Sequence, residues 1–208
     1  MTEPVLVVMT RWPASGRCKQ RLARTLGASA AARIQARLIS HTLTVAQVLA
    51  RDGKLQLHIA ISGGGPMAWR RWLASVPEAR ISGQGRGDLG NRMHREVLRA
   101  RSLHPGAPVI LIGTDLPDLA PGDLIRAIEH LRNSSVVLGP SLDGGYWLFG
   151  LAATERDVPR WPFHSIPWGT DQVFRLTWDR ACEHGLTPAQ LDMRNDIDQF
   201  EDLDAWLA

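Results

Sequence analysis

The sequence predicts an α/β fold of three layers, in which helices cover both faces of a mostly parallel sheet. Unbroken apolar runs such as 5–9 and 109–112 are typical of strands that are covered on both faces. Segments with helical spacing separate these runs, which indicates alternating strands and helices. Two of the apolar runs are followed by an acid, Asp115 and Asp143. Because open α/β sheets bind ligands at the carboxyl ends of their strands, these acids mark the expected ligand edge.

The elements follow one another at α/β spacing, and glycine and proline separate them. The first half predicts strands at 5–9, 55–61 and 79–82, a loop at 10–18, and helices at 19–26, 29–49, 67–74 and from Asp88 or Asn91 to about 103. The second half predicts strands at 109–112, 136–138, 146–150 and 186–191, and helices at 121–132, 170–184 and 200–207. Ser29 is expected to cap the long second helix, and Pro121 stands at a first helical turn, where proline is tolerated. No repeat or linker divides the chain, so we expect a single domain over 1–208.

Composition narrows the class of protein. A hydrophobic fraction of 44% and a charged fraction of 22% are typical of a globular protein. The net charge is only +3 and no basic run is long, so we expect no nucleic-acid partner. No apolar run reaches the length of a membrane span. Cys18 and Cys182 are far apart, no signal peptide is visible, and a cytoplasmic protein is expected. The sequence does not set the oligomeric state, and a homo-oligomer is compatible with it.

The loop after the first strand is a candidate phosphate site. It reads RWPASGRCKQRL from residue 11, turns at Gly16 and enters a helix. Backbone amides at a helix start attract phosphate, and Arg11, Lys19 and Arg21 add positive charge. The loop lacks the Gly-Lys-Ser/Thr spacing of a Walker A sequence. A solvated basic loop is the alternative interpretation.

Asp115 is the strongest candidate for chemistry, because it directly follows a buried strand. A carboxylate at that place can hold a divalent cation, and the cation can hold phosphates. The alternative is a turn or capping aspartate, a part for which Asp118 is the better candidate, since it lies just before Pro121. Near the end of the chain five aspartates cluster, and either Asp196 or Asp198 could complete a metal site.

The pair Gly144-Gly145 follows Asp143 and precedes an aromatic strand. A turn explains an Asp-Gly pair without any chemistry. Two glycines also let a ligand lie against the backbone, which makes both of them candidate nucleotide contacts. We expect the strand before Asp143 to lie beside the strand that leads to Asp115.

Five segments in this order resemble a family of bacterial GT-A-type transferases, described as glycosyltransferase-like and in part associated with radical-SAM pathways. The segments are RWPASGRCKQRL, GDLGNRM, GTDLPDL, GPSLDGGYWLFGL and DIDQFEDL. The chain departs from the family pattern at Arg11, where lysine is usual, and at Gln20, where threonine is usual. More distantly, it is similar to the guanylyltransferases for the molybdenum cofactor and for phospholactate.

The resemblance implies a nucleotide-diphospho-sugar transferase (GT-A) fold over nearly the whole chain. It implies that the 11–21 loop meets nucleotide phosphates and that Asp115 binds Mg²⁺ or Mn²⁺. It also implies Asp198 as a second metal contact and Asp88 as a nucleotide contact. The nucleotidyltransferase loop G-G-x-G-T-R-M is absent, which favours glycosyl transfer.

The expected reaction is therefore metal-dependent glycosyl transfer from a nucleotide-sugar to an unknown acceptor. The cation at Asp115 would neutralise the leaving diphosphate. Asp143 would serve as a base or as a contact to a sugar hydroxyl. Two alternatives stay open: nucleotidyl transfer with release of pyrophosphate, and a nucleotide-binding module without turnover, for which the changes at Arg11 and Gln20 speak.

Overall fold

The computed structural model describes residues 2–153 and 158–203. In chain order its elements are β1 (Val5–Arg11), α1 (Gln20–Leu26), α2 (Ala28–Arg51), β2 (Gln56–Ser62), α3 (Pro66–Trp72), β3 (Arg80–Gly83), α4 (Leu89–Leu103), β4 (Val109–Ile112), α5 (Pro121–His130), β5 (Val136–Pro140), β6 (Tyr146–Leu151), α6 (Val173–Glu183), β7 (Pro188–Gln190) and a short 3₁₀ turn (Glu201–Leu203). The expected α/β class and the order of elements are confirmed.

One sheet of seven strands organises the described residues, in the order β3-β2-β1-β4-β6-β5-β7. Every neighbouring pair is parallel except those of β6, which runs antiparallel to both β4 and β5. The expectation that β5 lies beside β4 is wrong, because β6 is inserted between them. The tight turn after β5 returns the chain directly as β6, and a two-strand hairpin must be antiparallel.

Two apolar layers hold the helices on the sheet. On one face Leu6, Val8 and Ile110 pack with residues of α2 and α5. On the other face Val7 and Phe149 pack with residues of α4, and α6 covers the same layer with partly buried aromatic residues. Both faces are covered, which is the physical reason that β1 and β4 read as continuous apolar runs rather than alternating ones.

Two local expectations are corrected by the contacts at helix ends. Helix α2 begins after Gly27, whose carbonyl accepts from the Ala31 amide, so Ser29 lies inside the first turn and does not cap it. Helix α5 has Ala120 at its N-cap position, and the carboxylate of Asp123 accepts the Ala120 amide at 2.9 Å. Asp118, the residue expected at that cap, instead pairs with an arginine from the end of the chain.

The expected closing helix at 200–207 is a 3₁₀ turn over Glu201–Leu203, and its remainder lies outside the described residues. Among the residues that the structure describes, no helix is long and apolar enough to cross a membrane.

Candidate functional site

A cavity of about 620 Å³ opens at the carboxyl ends of β1, β2 and β4. This is the edge at which open α/β sheets bind ligands. Five of the predicted site residues line this cavity, called the larger cavity below because a smaller one adjoins it: Arg11, Lys19, Arg21, Asp115 and Asp198.

The basic loop is tied to the acids of this larger cavity. Lys19 is only 5% exposed, and its Nζ lies 2.6 Å from Asp115 Oδ1 and also donates to the carbonyl of Ile197. Arg21 Nη1 lies 2.7 Å from Asp198 Oδ2. Two of the three predicted phosphate cations therefore form ion pairs with the two predicted metal carboxylates. These pairs join the 11–21 loop to Asp115 and to the end of the chain.

The turn of the loop depends on Gly16, which has a φ of 73°. The Arg17 amide donates to the Ala14 carbonyl at 3.0 Å and closes the turn, and Arg11 Nη1 donates to the Arg17 carbonyl at 3.1 Å. Lys19 also has a left-handed backbone, with a φ of 44°, and α1 starts directly after it. Glycine at position 16 thus shapes the loop, and Arg11 braces it.

A second cavity of about 240 Å³ adjoins the first. The two cavities share Asp115, Gly113 and the aromatic pair Tyr146 and Trp147. Asp143 and Asp196 line only the smaller one. Asp115 thus stands between a cavity rich in cations and a cavity rich in acids.

Asp196, the alternative to Asp198 in the sequence, lines the smaller cavity. Burial, together with the negative charges of Asp143 and Asp115, raises the pKa of its carboxyl to about 6. The position of Asp196 follows from a backbone contact of the next residue, because the Ile197 amide donates to the Asp115 carbonyl at 2.9 Å. Buried Ile197 separates Asp196 from Asp198 along the chain. The sequence offers the same residue type at both places, so it could not assign Asp198 to the larger cavity and Asp196 to the smaller.

The Asp-Gly-Gly turn contributes in two ways. Asp143 Oδ1 accepts the Gly145 amide at 2.9 Å, which is the turn interaction, while both residues line the smaller cavity. Gly144 has a φ of 84°, and a Cβ there would lie 2.2 Å from the backbone oxygen of Asp171. The close approach that Gly144 permits is therefore made by the protein's own backbone at Asp171, just before α6.

Asp88 caps α4, because its carboxylate accepts the Asn91 amide at 2.8 Å. The next residue, Leu89, lines both cavities, and Arg92 one turn further lines the larger one. The capping aspartate thus holds the start of a helix against the site.

Arg194 fixes the segment that carries Asp196 and Asp198. Its backbone amide donates to the Pro140 carbonyl at 3.0 Å. Its guanidinium donates to Asp118 and to Asp123, each at 2.6 Å. These contacts raise the pKa of Arg194 in spite of its partial burial. No pattern in the sequence indicates this anchor, which joins residues 71 or more positions apart.

The acids fit a divalent cation only together with a ligand. Within the described ranges, no group of three or more His, Cys, Asp and Glu side chains could hold a metal ion. Mg²⁺, however, is usually bound by one or two carboxylates together with water and phosphate oxygens. Asp115 and Asp198 line the same cavity, and each pairs with a basic side chain, Lys19 or Arg21, through one carboxylate oxygen. The two acids therefore match that pattern.

Comparisons with known proteins agree with this architecture. Residues 44–170 match the model of a family described as "Uncharacterized protein conserved in bacteria (DUF2064)". No match was found among curated proteins. A putative nucleotide-diphospho-sugar transferase from Desulfovibrio desulfuricans G20 is 27% identical, with a TM-score of 0.83 over 99% of this chain and 87% of that one.

Two less similar solved structures share the fold. Rv0371c from Mycobacterium tuberculosis H37Rv, in a complex with manganese, is 18% identical, with a TM-score of 0.57 over 98% of each chain. The inositol-1-phosphate CTP transferase from T. maritima is 13% identical, with a TM-score of 0.58 over 100% of this chain and 95% of that one. The fold is thus that of the nucleotide-diphospho-sugar transferases, and the chain belongs to the DUF2064 family.

Proposed function

We propose that this protein is a metal-dependent transferase that moves a glycosyl group from a nucleotide-sugar to a small acceptor. One observation carries the proposal: Asp115 lines both a cavity with a basic loop and a smaller cavity with two further acids. A transferase needs such a pair of adjoining sites, one for an anionic donor and one for its acceptor. The similarity to the putative nucleotide-diphospho-sugar transferase supports this choice of donor.

On the donor side, Arg11, Lys19 and Arg21 would bind the diphosphate. Asp115 and Asp198 would hold Mg²⁺ or Mn²⁺, which supplies positive charge where the leaving nucleoside diphosphate becomes more negative. Lys19 and Arg21 now neutralise those same acids. Because they lie beside the residues that would hold the cation, Lys19 and Arg21 would be placed to donate to the phosphates.

On the acceptor side, Asp143 faces the smaller cavity and is exposed. The acceptor oxygen would form a bond to the anomeric carbon, while the bond from that carbon to the diphosphate oxygen breaks. The hydroxyl proton would pass to the Asp143 carboxylate, or Asp143 would orient the hydroxyl by accepting its hydrogen bond. Gly145 braces Asp143 and would meet the acceptor, whereas Gly144 and the Asp88 cap would act on the ligand through the backbone they shape.

Nucleotidyl transfer is the second candidate, because solved neighbours of the same fold include CTP transferases. An acceptor would then attack the α-phosphate of a nucleoside triphosphate, and pyrophosphate would leave. The two reactions would use the same acids and cations and differ in the released product.

Thermal shift against nucleoside di- and triphosphates and nucleotide-sugars, with and without Mn²⁺, tests the proposal. We expect a nucleotide-sugar to raise the melting temperature only with the cation, and Asp115→Asn to abolish that shift. Asp179→Asn removes the same charge from an exposed pair on α6 and should leave the shift intact. Release of nucleoside diphosphate supports glycosyl transfer, and release of pyrophosphate supports the second candidate. Binding without either product would indicate a module without turnover.

A further inference from the structure

The smaller cavity has a one-sided charge. Its acids are Asp115, Asp143 and Asp196, and no Lys, Arg or His side chain of the described ranges lines it. Lys19 neutralises Asp115 from the side of the larger cavity. Neither Asp143 nor Asp196 forms an ion pair with any residue of the described part of the chain. The cavity therefore carries an excess of uncompensated negative charge.

Apart from the acids, much of the lining is apolar and partly aromatic. Trp147, Trp168 and Tyr146 line the smaller cavity, with Leu116, Leu119 and Val173 around them. Trp168 packs edge-on to Tyr146, with ring centroids 6.2 Å apart, so these two rings form one aromatic surface. An aromatic face with polar groups opposite it suits a ligand whose one side is C–H and whose other side carries hydrogen-bond donors.

The size of this cavity limits the ligand further. Its volume of about 240 Å³ lies below the roughly 300–1,000 Å³ of pockets for drug-sized ligands. One small ring compound can occupy it, whereas an extended chain would have to lie mostly outside.

From the charge, the walls and the size, we infer that the acceptor is a small polyhydroxyl compound, neutral or carrying an amine, and without phosphate or carboxylate groups. Its donors face Asp143 and Asp196, and its C–H side packs on the rings of Tyr146 and Trp168. A phosphorylated acceptor places like charges beside unpaired carboxylates, which costs binding energy. This inference rests on the proposed function, because it assumes that the smaller cavity holds the acceptor.

The first test compares acceptors that differ only in charge. Glucose, glucosamine, glucose 6-phosphate and glucuronate are offered at equal concentration and fixed free Mn²⁺, with UDP-glucose and GDP-mannose as donors. Release of nucleoside diphosphate is the readout. We expect the two compounds without an anionic group to be preferred about tenfold or more in kcat/KM. Asn at both 143 and 196 should lower all rates and narrow that preference, while Asp179→Asn should retain it.

The second test reads the cavity itself and needs no turnover. Iodide and caesium quench tryptophan fluorescence, and the difference between the wild type and Trp168→Phe isolates the residue on the cavity wall. We expect caesium to quench Trp168 more strongly than iodide, and the Asn variant at 143 and 196 to remove this difference.

The outcomes separate the two proposals. Equal or better use of glucose 6-phosphate, or quenching of Trp168 by iodide as strong as by caesium, overturns the inferred acceptor class even if nucleotide binding is confirmed. If caesium quenches Trp168 more strongly than iodide but no nucleotide binds, the negative charge of the cavity is supported. Its assignment to an acceptor is then overturned. Absence of nucleotide binding alone thus contradicts the proposed function, and absence of the charge preference alone contradicts the inferred acceptor class.

Discussion

Replacing Arg194 with methionine removes the anchor of the segment that carries Asp196 and Asp198. Methionine keeps much of the length of the side chain and takes away only its charge and donors. In the wild type the guanidinium donates to Asp123, which is 2% exposed, and to Asp118, which is 55% exposed. The substitution therefore breaks one buried and one exposed ion pair at the same time.

The expected loss follows from these exposures. A hydrogen bond to a buried charged group contributes about 1.5–3 kcal/mol, and the exposed pair adds about 1 kcal/mol at most. Asp123 keeps Arg126 at 2.6 Å and the Ala120 amide at 2.9 Å, so the full penalty of an unpaired buried carboxylate does not arise. We expect the free energy of unfolding to fall by about 2–4 kcal/mol, and the melting temperature by about 4–16 °C.

Urea unfolding at pH 7 measures this loss, with Arg175→Met as the matched control. Arg175 is 87% exposed and its nitrogen lies 3.7 Å from Asp179, so its replacement should change the free energy of unfolding by less than about 0.5 kcal/mol. Arg194→Met should also weaken the cation-dependent nucleotide shift, since it loosens the segment that carries Asp198. A stability equal to that of the control variant would refute the anchoring argument.

The remaining predictions concern packing and pH. Gly90→Ala should destabilise the protein by about 2–3 kcal/mol, because its Cβ would lie 1.9 Å from the backbone oxygen of Phe163. Gly122→Ala, also helical but with open space around it, should stabilise the protein by about 0.4–1 kcal/mol. His58 is buried and its pKa is lowered to about 4 by burial and by His104, so stability should fall as the pH drops from 6.5 to 4, by up to about 3 kcal/mol. The raised pKa of Asp196 gives the opposite dependence of stability on pH, because the wild type should lose stability as the pH rises from 4 to 6. Asp196→Asn should remove this loss.

Urea unfolding across this pH range measures both titrations, and each is isolated by its own variant. His58→Gln should flatten the acid side of the profile, whereas an unchanged profile would contradict the assignment to His58. If Asp196→Asn is no more stable relative to the wild type at pH 7 than at pH 4, ionised Asp196 does not destabilise the protein, and the prediction is wrong. Equal effects of the two glycine substitutions would contradict the packing argument at Gly90.

The sequence predicted the parts of the fold that depend on neighbouring residues. The bounds of β4 were predicted to the residue, because a short apolar run between a proline and a glycine has little freedom of interpretation. The place of β6 in the sheet was not predictable, because pairing between strands is set by contacts between distant parts of the chain. Asp143 was accordingly expected beside Asp115 in neighbouring strands and is instead reached through the hairpin.

The site was predictable to the extent that a residue's position relative to a strand end decides its place. Asp115 and the basic loop follow strands directly, and both reach the larger cavity. Asp196 and Arg194 belong to an irregular segment, and its contacts with distant residues, among them Pro140, Asp115 and Asp123, decide where each side chain lies. No periodicity in the sequence encodes such a path.

The antiparallel course of β6 lets the aromatic lining of the smaller cavity vary independently of the basic loop. Because β6 runs against its neighbours, its first residues, Tyr146 and Trp147, reach the ligand edge, and the five-residue connection from β5 sets which of them enters. A single insertion in that connection would exchange the faces of the side chains that follow. The aromatic wall of the smaller cavity can thus be redrawn by a change in loop length, while the basic loop after β1 stays as it is. Under the proposed function, members of this family could thus diverge in the acceptor while they keep one way of holding the donor.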